Sequence, residues 1–283
     1  MERIILIETS TALCSVALAE DGAVTAYRES SEPKAHASLT AVFVQEVLAE
    51  RGVSLSDCDA VCVSMGPGSY TGLRVGVSTA KGLCFGSGRP LLAVGTLDTL
   101  VAQAFSPAEA EANVEPQSGL YPRAEASAEE DGETQSGSYR RADACNGEYR
   151  YIIPMIDARR MEVYAAVFKN QDNPSDVIAG SEATLHPLAY TQITETAPVI
   201  VDENSFAEYL EQGPCLFIGD GAGKCADVIR HPNALFCQCH PKASSMLTPA
   251  LTTFRAGNFK DVAYFEPFYL KEFVATVSKK KLF

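Results

Sequence analysis

One pattern of about twenty residues occurs twice in this chain, and it limits the fold more than any other feature. The stretch "RIILIETSTALCSVALAEDG", beginning at Arg3, can be laid over "YIIPMIDARRMEVYAAVFKN", beginning at Tyr151, so that Ile7-Glu8 falls on Ile156-Asp157. In each copy an apolar run ends in an acid. A short turn follows, and a second apolar run resumes eight residues beyond the acid. Runs of that length, rich in Ile and Val and bounded by turn residues, are strand signals. A chain that repeats strand, terminal acid, turn and return strand has two similar sheets to bury.

The segments between the copies extend the pattern. Ile4 to Glu8, Cys14 to Ala19 and Val24 to Arg28 read as three strands, with Asp21-Gly22 as a tight turn. Ala35 to Arg51 has helical spacing and stops at Gly52; Thr71 to Phe85 and Leu97 to Phe105 are further helices, alternating with strands Ala60 to Ser64 and Leu91 to Val94. In the second half "CLFIGDGAGKCADVI" again offers strand, Gly-rich turn and helix, and Leu251 to Phe259 reads as a helix. The expectation is an α/β protein of two lobes related by duplication, each a mixed sheet covered by helices, with one acid per lobe turned toward a central cleft. That is the outline of the actin/hexokinase-like (ASKHA) fold. The expected division is an N-terminal lobe over 1–105, an insertion over 106–150, and a second lobe with a C-terminal segment over 151–283.

The insertion differs in kind. Between Ser106 and Glu148 the large aliphatic residues are Val114 and Leu120, amid Ala, Glu, Ser and Gly, and "SGLYPRAEA" nearly repeats as "SGSYRRADA". So little apolar surface does not offset the entropy of ordering, so a flexible segment is expected. The formal net charge of −13 argues against a chain that grips nucleic acid alone, because phosphate neutralisation supplies most of that affinity. Lys279-Lys280-Lys281 is the sole basic run. No apolar stretch reaches the length of a membrane span, and Glu8 with Thr9-Ser10-Thr11 interrupts what would be a signal-peptide core. Nine scattered cysteines then point to reduced thiols and a cytoplasmic location.

"VCVSMGPGSYTGLRVGVSTAKGL", from Val61, invites comparison with phosphate-binding loops. It satisfies neither G-x-x-x-x-G-K-[ST] nor G-x-G-x-x-G, since Lys81 lies far down the helix and Thr71 stands where a third small residue belongs. The helix is more informative. Gly72, Gly76 and Ala80 make a nearly bare stripe flanked by Leu73, Val77 and Cys84. Each helical glycine costs about 1 kcal/mol against alanine, so close approach of another backbone is implied. The helix Ala35 to Arg51 carries Leu39, Val42, Phe43, Val44, Val47 and Leu48, a wide apolar arc. Either both helices pack on their own sheet, or their surplus apolar surface docks a partner; the second is the expectation carried forward, with Leu39, Phe43, Val47, Gly72, Leu73, Arg74, Gly76, Val77 and Ala80 as the interface.

At this point the residues resemble a known family. "ILIETSTALCSVAL", "GPGSYTGLRVG", "LDTL", "MIDARRMEVY" and "FYLKE" occur in the order and spacing of the bacterial TsaB (YeaZ) family, over nearly the whole chain outside the insertion. Departures are Glu8 where many members have Asp, Tyr70 where many have Phe, and the insertion itself. The resemblance implies a non-catalytic partner of TsaD, the subunit that transfers a threonylcarbamoyl group to N6 of adenosine 37 in tRNAs reading codons that begin with A. It further implies TsaE, an ATPase, as third component, contact with tRNA only through the complex, and self-pairing into a homodimer through the same two helices.

No catalytic residue is expected. A TsaD-like metal needs two histidines on one helical face, and "LDTLVAQAF" has none; His36, His186, His231 and His240 are dispersed and no H-E-x-x-H exists for a metallopeptidase. "CQCH" at Cys237 lacks a second ligand pair, so no metal site is expected. Glu8, Thr9, Ser10, Asp157, Gly219, Asp220 and Gly221 form a candidate vestigial nucleotide cleft. Its acids either hold a Mg²⁺-phosphate, as in an independent actin-like ATPase or small-molecule kinase, or are fossils bonded to turn amides. ATP or ADP with Mg²⁺ is expected only there, weakly, or at the partner junction. Asp220 either orients a ribose or caps a helix start at Gly223-Lys224. Arg74 either reaches across a junction or lies along its own helix.

Overall fold

The computed structural model describes residues 1–33, 35–105, 149–171 and 190–270. The insertion over 106–148, His186 and the lysine run lie outside them. The first lobe is a five-stranded sheet of β1 (Arg3–Glu8), β2 (Cys14–Glu20), β3 (Ala23–Ser30), β4 (Ala60–Ser64) and β5 (Leu91–Val94), in the order β3-β2-β1-β4-β5. β1 to β3 are antiparallel, while β4 and β5 run parallel to β1. Helix α1 (Ala35–Glu50) follows β3, α2 (Tyr70–Ser87) links β4 to β5, and α3 (Thr96–Gln103) follows β5.

The second lobe repeats the plan. Its strands are β6 (Tyr151–Asp157), β7 (Glu162–Ala165), β8 (Phe168–Asn170), β9 (Tyr190–Gln192), β10 (Ala197–Ile200), β11 (Cys215–Gly219) and β12 (Ala234–Gln238). The main order is β10-β7-β6-β11-β12, with β11 and β12 parallel to β6 and a side pair, β8 and β9, hung on β6. Short helices α4 (Ala207–Leu210) and α5 (Ala222–Ala226) occupy the places of α1 and α2. The duplication expected from the repeated pattern is therefore a duplication of topology, with Glu8 and Asp157 each last in the first strand of its lobe. The fold is α/β and two-lobed, of the ASKHA type.

Alternation along the strands sorts the core. Ile5, Ile7, Val16, Leu18, Val61 and Val63 meet Phe43, Val44, Val47 of α1 and Val77, Ala80 of α2. Ile4, Leu6, Ala17, Cys62 and Leu92 on the opposite face meet Ala243, Met246 and Ala250. In the second lobe, Ile153, Met155 and Phe217 face α5, whereas Ile152, Ile156, Leu216 and Ile218 face Leu97, Leu100 and Val101 of α3.

The packing crosses the sequence boundaries at 105 and 151. Helix α3, from the first segment, covers the second sheet, and the 3₁₀ turn Ala243–Met246 with α6 (Leu247–Arg255), from the last segment, covers the first. Each half supplies a lid to the other, so the lobes are stitched twice. Helix α6 begins four residues before the expected Leu251, with Pro249 in its first turn and Gly257, at φ +68°, ending it ahead of Phe259. No helix among the described residues is long and apolar enough to cross a membrane.

Candidate functional site

The "GPGSY" loop ends at Ser69, the N-cap of α2, whose hydroxyl accepts from the Gly72 N–H at 3.3 Å. The Ser69 N–H donates to the Ser10 carbonyl at 2.6 Å, and the Thr9 hydroxyl to the Gly72 carbonyl at 2.9 Å. A Cβ on Gly72 would fall inside contact distance of the Thr9 carbonyl, and one on Gly76 would strike the Thr9 hydroxyl. The small-residue stripe is thus the seat of α2 on the β1–β2 turn of its own lobe.

This corrects the interface expected from sequence. Phe43, Val47, Gly72, Leu73, Gly76, Val77 and Ala80 are buried within the monomer, and Leu39 is half-buried against the same core. The reason is that α1 and α2 each turn one apolar stripe to the sheet, Phe43, Val44 and Val47 on α1 and Leu73, Val77 and Ala80 on α2, as amphipathic helices do. Arg74 is exposed, but it lies along its own chain: its guanidinium sits 4.5 Å from the Tyr70 ring centroid and donates to Tyr269, which raises its pKa. The Tyr70 and Tyr269 rings pack tilted at 4.9 Å, and the Phe268 N–H donates to the Met65 carbonyl, so Phe268 and Tyr269 run beside the "GPGSY" loop.

The outward faces carry other residues. On α1 these are Ala37, Ser38, Ala41, Val42, Gln45, Glu46, Ala49 and Glu50, the two glutamates paired with Arg28, and on α2 Thr71, Arg74, Ser78, Gly82, Phe85 and Gly86. Val42 is 40% exposed and Phe85 87%. A Cβ on Gly82 would meet nothing within 4 Å.

The two acids have opposite environments. Glu8 is fully buried; its Oε1 accepts the Ser10 N–H at 2.7 Å and its Oε2 has no partner among the described residues. Burial pushes its pKa up to about 7, against the pull of the serine donors at Ser10 and Ser64. Thr9 and Ser10 are equally buried, so these three cleft candidates do not line an open surface; Thr9 and Ser10 instead seat α2. Asp157 is exposed, and its carboxylate is held by Lys224 and by the Arg159 N–H at 2.8 Å. Lys224 also donates to the carbonyls of Arg160 at 2.8 Å and Glu162 at 2.7 Å.

Asp220 does not cap α5. Its Oδ1 accepts the Asp157 N–H at 2.9 Å, tying the ends of β6 and β11, while Gln238 Oε1 takes the Gly223 N–H at 2.6 Å. Burial raises its pKa, with His240 Nδ1 3.9 Å from Oδ2 lowering it in part. Gly219 packs on the Met155 backbone and Gly221 on Val163.

Lys224→Met should loosen the β6–β7 hairpin. Loss of one cation with three acceptors, in a half-exposed setting, is expected to cost about 1–2 kcal/mol, read as a lower urea midpoint. An unchanged midpoint would mean that Lys224 is solvated cover.

Sequence reasoning missed the tip of that hairpin. Arg159 and Arg160 both have positive φ, +71° and +51°. Non-glycine residues held there store about 1–3 kcal/mol each, and nothing in "DARRM" signals it, since Gly or Asn ordinarily takes such positions.

A family model described as "TsaD: tRNA N6-adenosine threonylcarbamoyltransferase" matches residues 30–125, a stretch that includes α1 and α2. The chain is 28% identical over 274 residues to the "tRNA threonylcarbamoyladenosine biosynthesis protein TsaB" of Escherichia coli (strain K12), covering 96% of each. It is 36% identical over 108 residues to the protein of the same name from Haemophilus influenzae, covering 38% of this chain and 45% of that one. Among solved structures, "YeaZ from Pseudomonas aeruginosa" superposes with a TM-score of 0.68 at 22% identity, over 95% of this chain and 100% of that one, which establishes the fold. Along its full length, and in its two-lobed plan, the chain is similar to the TsaB (YeaZ) proteins.

Proposed function

We propose that this chain works in tRNA threonylcarbamoyladenosine biosynthesis, in the cytoplasm, as the non-catalytic partner of a TsaD-type transferase. In this reading TsaD transfers the threonylcarbamoyl group to N6 of adenosine 37, TsaE is the third component, and tRNA is met through the complex. The names of the relatives support the pathway. The family match over 30–125 supports the pairing, because a first lobe built like that of TsaD suits a pseudo-symmetric contact, and a homodimer of this chain would use the same surface.

One observation carries the reading: Phe85 is 87% exposed on α2, three residues beyond Gly82, which is itself open, and Val42 is 40% exposed on α1. A bare aromatic ring beside open glycine is what an anchor and its approach surface require. The docking residues are therefore the outward ones, in place of the buried set that the sequence pointed to. The absence of histidine from Thr96–Gln103 supports assigning catalysis to the partner. An independent ATPase finds little support, since Glu8 is enclosed and Lys224 engages Asp157.

Val42→Asp with Phe85→Asp is expected to weaken association with TsaD by about thirtyfold or more, as loss of a hot spot does. The melting temperature should stay within about 2 °C of the parent, because surface substitutions move stability little. Reconstituted tRNA modification should require this chain and fail with the double variant. Undiminished association, or full modification without the chain, would refute the assignment.

A further inference from the structure

We propose that Arg159 and Arg160, at the tip of the β6–β7 hairpin, form a binding site for a phosphate group, supplied either by a free nucleotide or by an RNA backbone. The site stands on this chain alone and does not depend on the TsaD reading.

The first ground is the residue type at the strained positions. Both tip residues are left-handed. Asparagine or glycine makes such a turn without strain, so arginine is not there for the turn. What remains is the side chain. Both are exposed, and neither guanidinium makes an ion pair or hydrogen bond with any described residue.

The second ground is what became of the nearest carboxylate. Asp157, two residues before Arg159, would be the natural partner of a neighbouring guanidinium. Lys224 takes it instead, and the same ammonium clamps the carbonyls of Arg160 and Glu162. The Ala158 N–H donates to the Glu162 carbonyl at 3.0 Å, and the Glu162 N–H to the Arg159 carbonyl at 3.2 Å, closing the turn. The hairpin is tied from below, and its two cations have no partner among the described residues. In a chain of net charge −13 such a pair stands out.

The third ground is chemical fit. The guanidinium fork binds phosphate oxygens in pairs, and two adjacent forks on a preorganised turn give up little freedom on binding. The turn also lies at the carboxyl end of β6, beside the parallel strand β11, the edge at which open α/β sheets take ligands.

The test uses the full chain with two probes, ADP and an unmodified tRNA transcript, at about 50 mM salt to keep the electrostatic contribution large. Arg159→Asn with Arg160→Gly suits the left-handed backbone, so folding persists and is checked by thermal melting. It should weaken binding of a responding probe by about tenfold or more. With RNA, the slope of log affinity against log salt should fall by about two. Arg159→Lys with Arg160→Lys, which keeps charge but loses the fork, should fall between parent and neutral variant. A response with ADP alone assigns the site to a nucleotide. A response with tRNA alone assigns it to a backbone phosphate, and a response with both to the shared group. Binding of neither probe by the parent, or equal binding by parent and neutral variant, overturns the proposal.

Discussion

Gly72→Ala is expected to lower the stability of the first lobe by about 3 kcal/mol or more, a loss of roughly 10 °C in melting temperature for a protein of this size. The added methyl would press on the Thr9 carbonyl, which is backbone and cannot swing aside. Relief requires α2 to lift, and lifting α2 stretches the bonds from Ser69 N–H to Ser10 and from the Thr9 hydroxyl to Gly72. Val77 and Ala80 would move with it, out of contact with Val61 and Val63. Gly76→Leu should behave similarly, since Thr9 and Val63 side chains confine that position. Gly82→Ala, on the same helix but open to space, should instead stabilise by about 0.5–1 kcal/mol. Thermal melts of the three variants decide the matter. If Gly72→Ala melted like the parent and only association with TsaD failed, the stripe would be a docking surface after all.

The second large effect is a stability that falls as pH rises. Glu8 has a folded-state pKa of about 7 against an unfolded value near 4.5. A carboxyl whose pKa is raised by burial is destabilising when ionised, so its acid form contributes full stability below about 4.5, and that contribution is lost as pH climbs through about 7. The difference corresponds to about 3 kcal/mol between the two limits. No cation faces the carboxyl among the described residues; Cys14 and Cys62 are its titratable neighbours there, both thiols raised chiefly by burial and in part by the Glu8 charge. Glu8→Gln should remove this slope. It keeps an oxygen for the Ser10 N–H while carrying no charge, and should exceed the parent in stability at pH 8. Urea titrations from pH 5 to pH 8 provide the measurement. A parent and Glu8→Gln that fall together across that range would show Glu8 to be ionised and solvated throughout.

Elements followed from local pattern. The strand–acid–turn–strand copies at Arg3 and Tyr151 and the stop at Gly52 act within a few residues, so they are written where they operate. The family motifs were legible for the same reason. What faces what was not. Gly72, Gly76 and Ala80 announced that some backbone comes close, and only the tertiary structure decided that it is Thr9 of the same lobe rather than a partner. A bare helical stripe looks the same whether its neighbour lies sixty residues away or in another molecule.

The exchange of α3 and α6 between lobes, the capture of Asp157 by Lys224, and the exposure of Phe85 were equally invisible, because each depends on contacts distant in sequence. Arg159 and Arg160 illustrate the reverse case, where local preference is overridden: the hairpin register imposes positive φ on residues that would not choose it. Sequence alone determined the repeated α/β plan and the kinship, since periodicity and turn chemistry are local. The tertiary structure decided which glycines are sealed and which side chains are left for a partner or a ligand, since burial is a property of the assembled chain.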